Sequence, residues 1–244
     1  MISPLFTTIV IVAGFICIFM RYTSSKPDSG MKQFLARERR ANNTLRQPLD
    51  DLAFVKVPLE SVPAPDPAVN EKCASLIGEL KQLSDKKIVN LTGISNTDLK
   101  LTYGAPNLPI LSEYDQNFTN LCQILYNLGM EYKNAGFPDE AIAALNAGIN
   151  VGTDLSRNYI DLAEMYAEKG LFVEIQRLIN CAGNIRSITK NSTIRKLQEI
   201  LDSHTSTVIN LSDGEEVSGN PGNILPEDIL DILETVPYTS DGQN

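Results

Sequence analysis

The chain has no tryptophan, and its one histidine, His204, closes a predicted helix beside a polar tail. No serine, cysteine or carboxylate pattern supplies that histidine with the partners a nucleophile–base arrangement needs. There is no glycine-rich phosphate loop and no clustered metal-ligand spacing. Cysteine is scarce: Cys17, Cys73, Cys122 and Cys181 form no CxxC pair, which argues for free thiols in a reducing compartment. The expectation is a protein that is not an enzyme, with no catalytic residues, cofactor or metal and no small-molecule substrate.

Charge is also missing in places. Residues 1–20 carry no charged side chain, and residues 205–244 carry eight acidic side chains and no basic one. The formal net charge is −9. Residues 21–50 hold seven Lys/Arg against three Asp/Glu, whereas the chain from 51 onward holds 14 against 27. So acidic a chain makes a poor nucleic-acid ligand, because phosphate contacts supply most of that affinity. No nucleic-acid partner is expected.

The uncharged stretch 2–20 predicts a transmembrane anchor. Its nineteen residues reach about 29 Å as a helix, against a hydrocarbon thickness of about 30 Å. A cleaved signal peptide would need a basic n-region, which is absent. Arg21, Lys26, Lys32, Arg37, Arg39, Arg40 and Arg46 follow the stretch. The positive-inside rule therefore predicts a single-pass protein with its N-terminus outside and its bulk cytoplasmic, at a bacterial plasma membrane. Five N-x-S/T triplets, at Asn42, Asn90, Asn117, Asn191 and Asn210, are read as chance occurrences. Met31 to Asn42 suits a short helix with Met31, Phe34 and Leu35 on one side. Its arginines either enforce topology alone or lie against anionic headgroups, at about 1 kcal/mol per basic residue near the surface.

Five prolines between Gln47 and Pro67 mark a linker. Leu52, Phe54, Val55 and Val57 within it suit an extended strap along a helical domain. Asp66 and Pro67 read as the N-cap and first residue of a helix to Ser84, with Val69, Cys73, Leu76, Ile77, Leu80 and Leu83 as its apolar stripe. A short helix near Asn96–Leu101, capped by Ser95 or Asn96, is expected to pack across the end of the domain. A long helix from Ile110 ends at Gly136; others run from Pro138 to near Gly152, from Ser156 to Gly170, from Phe172 to Ala182 and from Asn191 to Ser203. Asp154 or Ser156 is expected to cap the third of these.

Within this region Leu125, Leu128, Gly129, Tyr132, Gly136, Ala141, Leu145 and Gly148 recur 34 residues later. Their counterparts are Tyr159, Leu162, Ala163, Tyr166, Gly170, Ile175, Ile179 and Ala182. The period and the Leu-Gly-x2-Tyr core resemble the tetratricopeptide repeat, a helix–turn–helix unit that stacks into solenoids. Leu125 and Tyr159 stand in that family's Trp slot, Ile175 in an Ala slot, and Thr153 replaces the closing Pro. Gly129 and Ala163, with Ala141, Gly148 and Ala182, are expected where the two helices of a repeat touch.

The resemblance implies an all-α fold: a short tetratricopeptide-like α-solenoid behind the anchor, with two repeats (about 122–155 and 156–185) and flanking capping helices. The layout is a 2–20 anchor, a 21–65 basic and Pro-rich segment, a 66–203 helical domain and a 204–244 acidic tail. The resemblance also implies a partner-binding groove at Gln123, Tyr126, Met130, Lys133 and Asn134, then Arg157, Ile160, Glu164, Ala167 and Glu168. The family's Lys/Asn/Arg carboxylate clamp for chaperones is incomplete here. Residues 226–236, with Ile229, Leu230, Ile232, Leu233 and Val236, suit a short amphipathic segment in the tail. The expected function is a membrane-anchored adaptor or scaffold that binds a protein or peptide. The alternatives are a targeting-signal receptor of the mitochondrial import type and a structural subunit of a permanent membrane complex.

Overall fold

The computed structural model describes residues 12–21, 29–63 and 71–212. Regular structure among them is helical, save for one antiparallel bridge between Phe54 and Val89. The helices are α1 (residues 12–21), α2 (Ser29–Asn42), α3 (Glu71–Ser84), α4 (Asn96–Tyr103), α5 (Leu108–Asn134), α6 (Pro138–Asn150), α7 (Ser156–Glu168), α8 (Phe172–Ala182) and α9 (Lys190–Ser212). The all-α expectation is met.

Two helical hairpins, α5/α6 and α7/α8, form the centre, and their ends repeat at the spacing of the sequence. α5 and α7 stop at Asn134 and Glu168, and α6 and α8 start at Pro138 and Phe172. Both turns close alike. The Phe137 N–H donates to the Tyr132 carbonyl at 2.9 Å, and the Leu171 N–H to the Tyr166 carbonyl at 2.8 Å. These six-to-one bonds are Schellman closures, which need a left-handed residue just past the helix end. Gly136 (φ 85°) and Gly170 (φ 69°) supply it.

Close packing inside the first hairpin depends on a missing side chain. A Cβ on Gly129 would lie 2.7 Å from Leu145 Cγ and 3.3 Å from the Ala141 carbonyl oxygen. Gly148 does a different job from the one expected of it. A Cβ there would meet Asn158 Oδ1 of α7 at 2.9 Å, so it opens room between the hairpins rather than within one. Asn158 is fully buried in that room and donates to the Leu145 carbonyl at 2.8 Å.

α3 runs antiparallel to α5: Lys72 near its start lies beside Glu131 (3.5 Å), and three residues past its end the Lys87 carbonyl accepts from Asn117 at 3.0 Å. Its Cys73, Leu80 and Leu83 enter the same core as Phe118, Leu121, Leu125 and Leu128. A smaller cluster of Leu52, Val89, Leu91, Leu99, Leu111 and Tyr114 surrounds the first turns of α5. The 44–63 segment lies over both as an extended strap, with Val55 N–H on the Ile88 carbonyl (2.9 Å) and the Tyr132 hydroxyl on the Pro63 carbonyl (2.6 Å). Buried Asn107 fastens its start. Its Oδ1 accepts from Arg46 (2.7 Å), and its Nδ2 donates to the Gln47 and Tyr103 carbonyls (2.7 and 2.8 Å). The 85–110 segment thus closes the end of the bundle, with α4 capped by the Ser95 side chain.

Several expectations are corrected. Among the described residues no helix is long and apolar enough to cross a membrane. α1 is described over residues 12–21. Residues 2–11 of the expected anchor lie outside the described residues. The single-pass assignment falls, and with it the placement of an outside N-terminus and a cytoplasmic domain at a bacterial plasma membrane. α7 carries no side-chain cap from Asp154 or Ser156. Buried Thr153 orders that turn instead, its hydroxyl accepting from the Leu155 N–H at 3.2 Å. α9 continues past Ser203 to Ser212, and its Leu197 is buried in the core. A second unit begins at Ser203, described as helical to residue 212. The Asp66–Pro67 start of the α3 helix and the 226–236 segment lie outside the described residues.

Gly129→Ala should cost about 1–3 kcal/mol, the usual penalty for overpacking. Gly78→Ala, in α3 with nothing within 4 Å of a new Cβ, should instead stabilise by about 0.5–1 kcal/mol. Urea unfolding of the two variants reads these opposite signs.

Candidate binding groove

The polar face of α5 opposite the core is open, and α3 forms a wall along it. Two adjoining hollows of about 380 and 510 Å³ lie between the helices. Leu83, Gln82 and Lys86 of the α3 side face Asn120, Gln123 and Ile124 in the first. Lys72 and Ser75 face Tyr126, Met130 and Glu131 in the second. Leu76, Glu79 and Asn127 line both, so the two make one groove.

Of the expected positions, Gln123, Tyr126 and Met130 come together in this groove. Lys133 and Asn134 continue along the last turn of α5, beyond the hollows. Arg157 and Glu164 are exposed on α7 and Ile160 is half-buried there; none of the three lines either hollow. Ala167 is buried in the core and Glu168 is exposed. One bond joins the α7 side to the α5 face: the Tyr126 hydroxyl donates to Asp161 Oδ2 at 2.8 Å.

The α3 wall was not anticipated, because that helix was read as a cap or brace. A signal was present in the spacing. Ser75, Glu79, Gln82 and Lys86 form a polar strip at three- and four-residue intervals beside Leu76. A helix that capped the bundle end-on would have no use for a second, aligned strip.

Charge in the groove is balanced and its polar groups are mostly neutral. Lys72 pairs with Glu131 at one end. Glu79 and Lys86 make no ion pair among the described residues. Gln82, Asn120, Gln123 and Asn127 add four carboxamides, each with a donor and an acceptor like a peptide group. Leu76, Ile124 and Met130 supply apolar surface between them. Among the described residues no group of three or more His, Cys, Asp or Glu is placed to hold a metal. The four cysteines are free; burial pushes the Cys122 thiol up to about 11.

Comparison with known proteins finds no matching family model, no matching curated protein and no matching solved structure.

Burial, with the hydrogen bond and charge of Asp161, pushes the Tyr126 phenol up to about 12, opposed by Arg157. Tyr132 and Tyr159 are pushed to about 12, chiefly by burial. A phenol with a raised folded-state pKa lends stability that is whole below its ordinary value of 10 and lost as pH climbs through 12. Stability should therefore fall between about pH 10 and 12. Burial also raises Tyr166, and ultraviolet titration should show these phenols ionising late, with Tyr126→Phe removing one of them.

Proposed function

We propose that this chain is a protein-binding adaptor or scaffold of the tetratricopeptide-repeat type, holding a peptide or helix of its partner along the open face of α5. The observation that carries the reading is the recurrence, 34 residues apart, of the same helix ends and the same glycine-closed turns in two successive hairpins. Units of this kind cover one another's apolar faces and leave an outer face free for ligands. The α3/α5 groove suits such a ligand chemically. Its carboxamides match the donors and acceptors of a peptide backbone, and Leu76, Ile124 and Met130 offer sockets for side chains.

Photo-crosslinking residues introduced at Gln123 or Met130 should trap the same partner, whereas one at Lys196 on α9 should not. Met130→Glu should lower the Gln123 adduct by about tenfold, since a misplaced charge in a contact face costs a kcal/mol or more. Equal adducts from all three positions, or no loss in Met130→Glu, would remove α5 as the binding face.

A further inference from the structure

The C-terminal half of α2 is fixed to α4. Ala41 is buried, Arg37 pairs with Asp98 of α4, and Thr97 donates to Glu38. Lys100 lies 3.8 Å from Glu38 and donates to Asn42 Oδ1 at 2.8 Å. Arg37 and Glu38 are thereby neutralised. Lys32, Arg39 and Arg40 make no ion pair among the described residues, leaving a local charge of three positives on an otherwise acidic chain.

Ahead of the α4 contact, Met31, Phe34 and Leu35 are 54%, 57% and 47% exposed. Their i, i+3, i+4 spacing puts them on one strip. At about 100° per residue, Lys32 and Arg39 fall about 40–60° round the helix from Leu35. They stand along the edge of the apolar strip rather than opposite it. A helix that lies in a lipid interface has this layout, with apolar side chains at the acyl boundary and cations at the phosphates.

We propose that α2 docks this protein on an anionic bilayer surface, with Met31, Phe34 and Leu35 entering the interface and Lys32 and Arg39 meeting headgroup phosphates. Such a helix rests in the plane of the surface and needs no span. An acidic protein surface would answer the charges but leave three large apolar side chains without use. Docking through α2 keeps the α3/α5 groove clear, because α2 is held on α4 and lines neither hollow.

The chain contains no tryptophan, so F34W in the full chain places a single indole on the proposed contact. Phosphatidylcholine vesicles with about 30 mol% phosphatidylglycerol should shift its emission to the blue, and about 0.5 M NaCl should reverse the shift. Pure phosphatidylcholine vesicles should not produce it. Each basic residue near an anionic surface strengthens binding about fivefold, so K32Q/R39Q should raise the half-saturating lipid concentration by about 25-fold. An equal shift with both vesicle types, no shift with either, or an unchanged titration in the double variant overturns the proposal. A shift with polyglutamate as large as that with anionic vesicles also overturns it, in favour of an acidic protein partner.

Discussion

Gly129 has no Cβ, and α6 comes close enough to α5 for Leu145 to rest where that atom would be. Most of the fold follows from this approach. Buried Leu125, Leu128 and Tyr132 on α5 meet Ala141, Ala144 and Leu145 on α6, and the pair becomes a unit with one apolar side still open. α7 closes that side by inserting Asn158 over Gly148. α8 and α9 follow, with Ile175, Leu178 and Leu197 buried in turn. Each element covers apolar surface that the one before it leaves open.

The same logic operates at the other end, with different materials. α5 is twice as long as α7, and its first turns extend beyond the hairpin, where no α6 residue covers them. A second cluster with Leu52, Val89 and Leu99 covers them, supplied by the strap and by the 85–110 segment. Backbone groups in these irregular pieces still need partners. Asn107, Asn117 and Asp115 provide them, reaching the carbonyls of Gln47, Tyr103 and Lys87 and the N–H of Leu91. Polar side chains on α5 and just before it thus hold the backbone of the strap and of the 85–110 segment.

Helical content, hairpin boundaries and turn glycines were legible in the residues, because apolar spacing and left-handed glycines act locally. α6 and α8 begin and end close to where Pro138, Gly152, Phe172 and Ala182 indicated. The groove was legible in part. Gln123, Tyr126 and Met130 were found from their place in the repeat, but the opposing wall was not. Leu76 and Glu79 lie some fifty residues away in sequence, and nothing in a local pattern shows which helix will lie alongside another. Ala167 was misplaced for a related reason: a small residue at a groove position reads the same whether it faces solvent or a neighbour.

The amino-acid order alone determined an all-helical chain with a 34-residue unit, two glycine-closed hairpins and a basic α2 set against an acidic remainder. Those features depend on contacts within four or five residues, or on charge, and need no partner to be read. Only the tertiary structure decided that α3 flanks α5, that Gly148 serves the next hairpin, and that α2 is held on α4 with Met31, Phe34 and Leu35 exposed. Each is a meeting of surfaces distant in sequence, and which surfaces meet depends on how the whole core is packed.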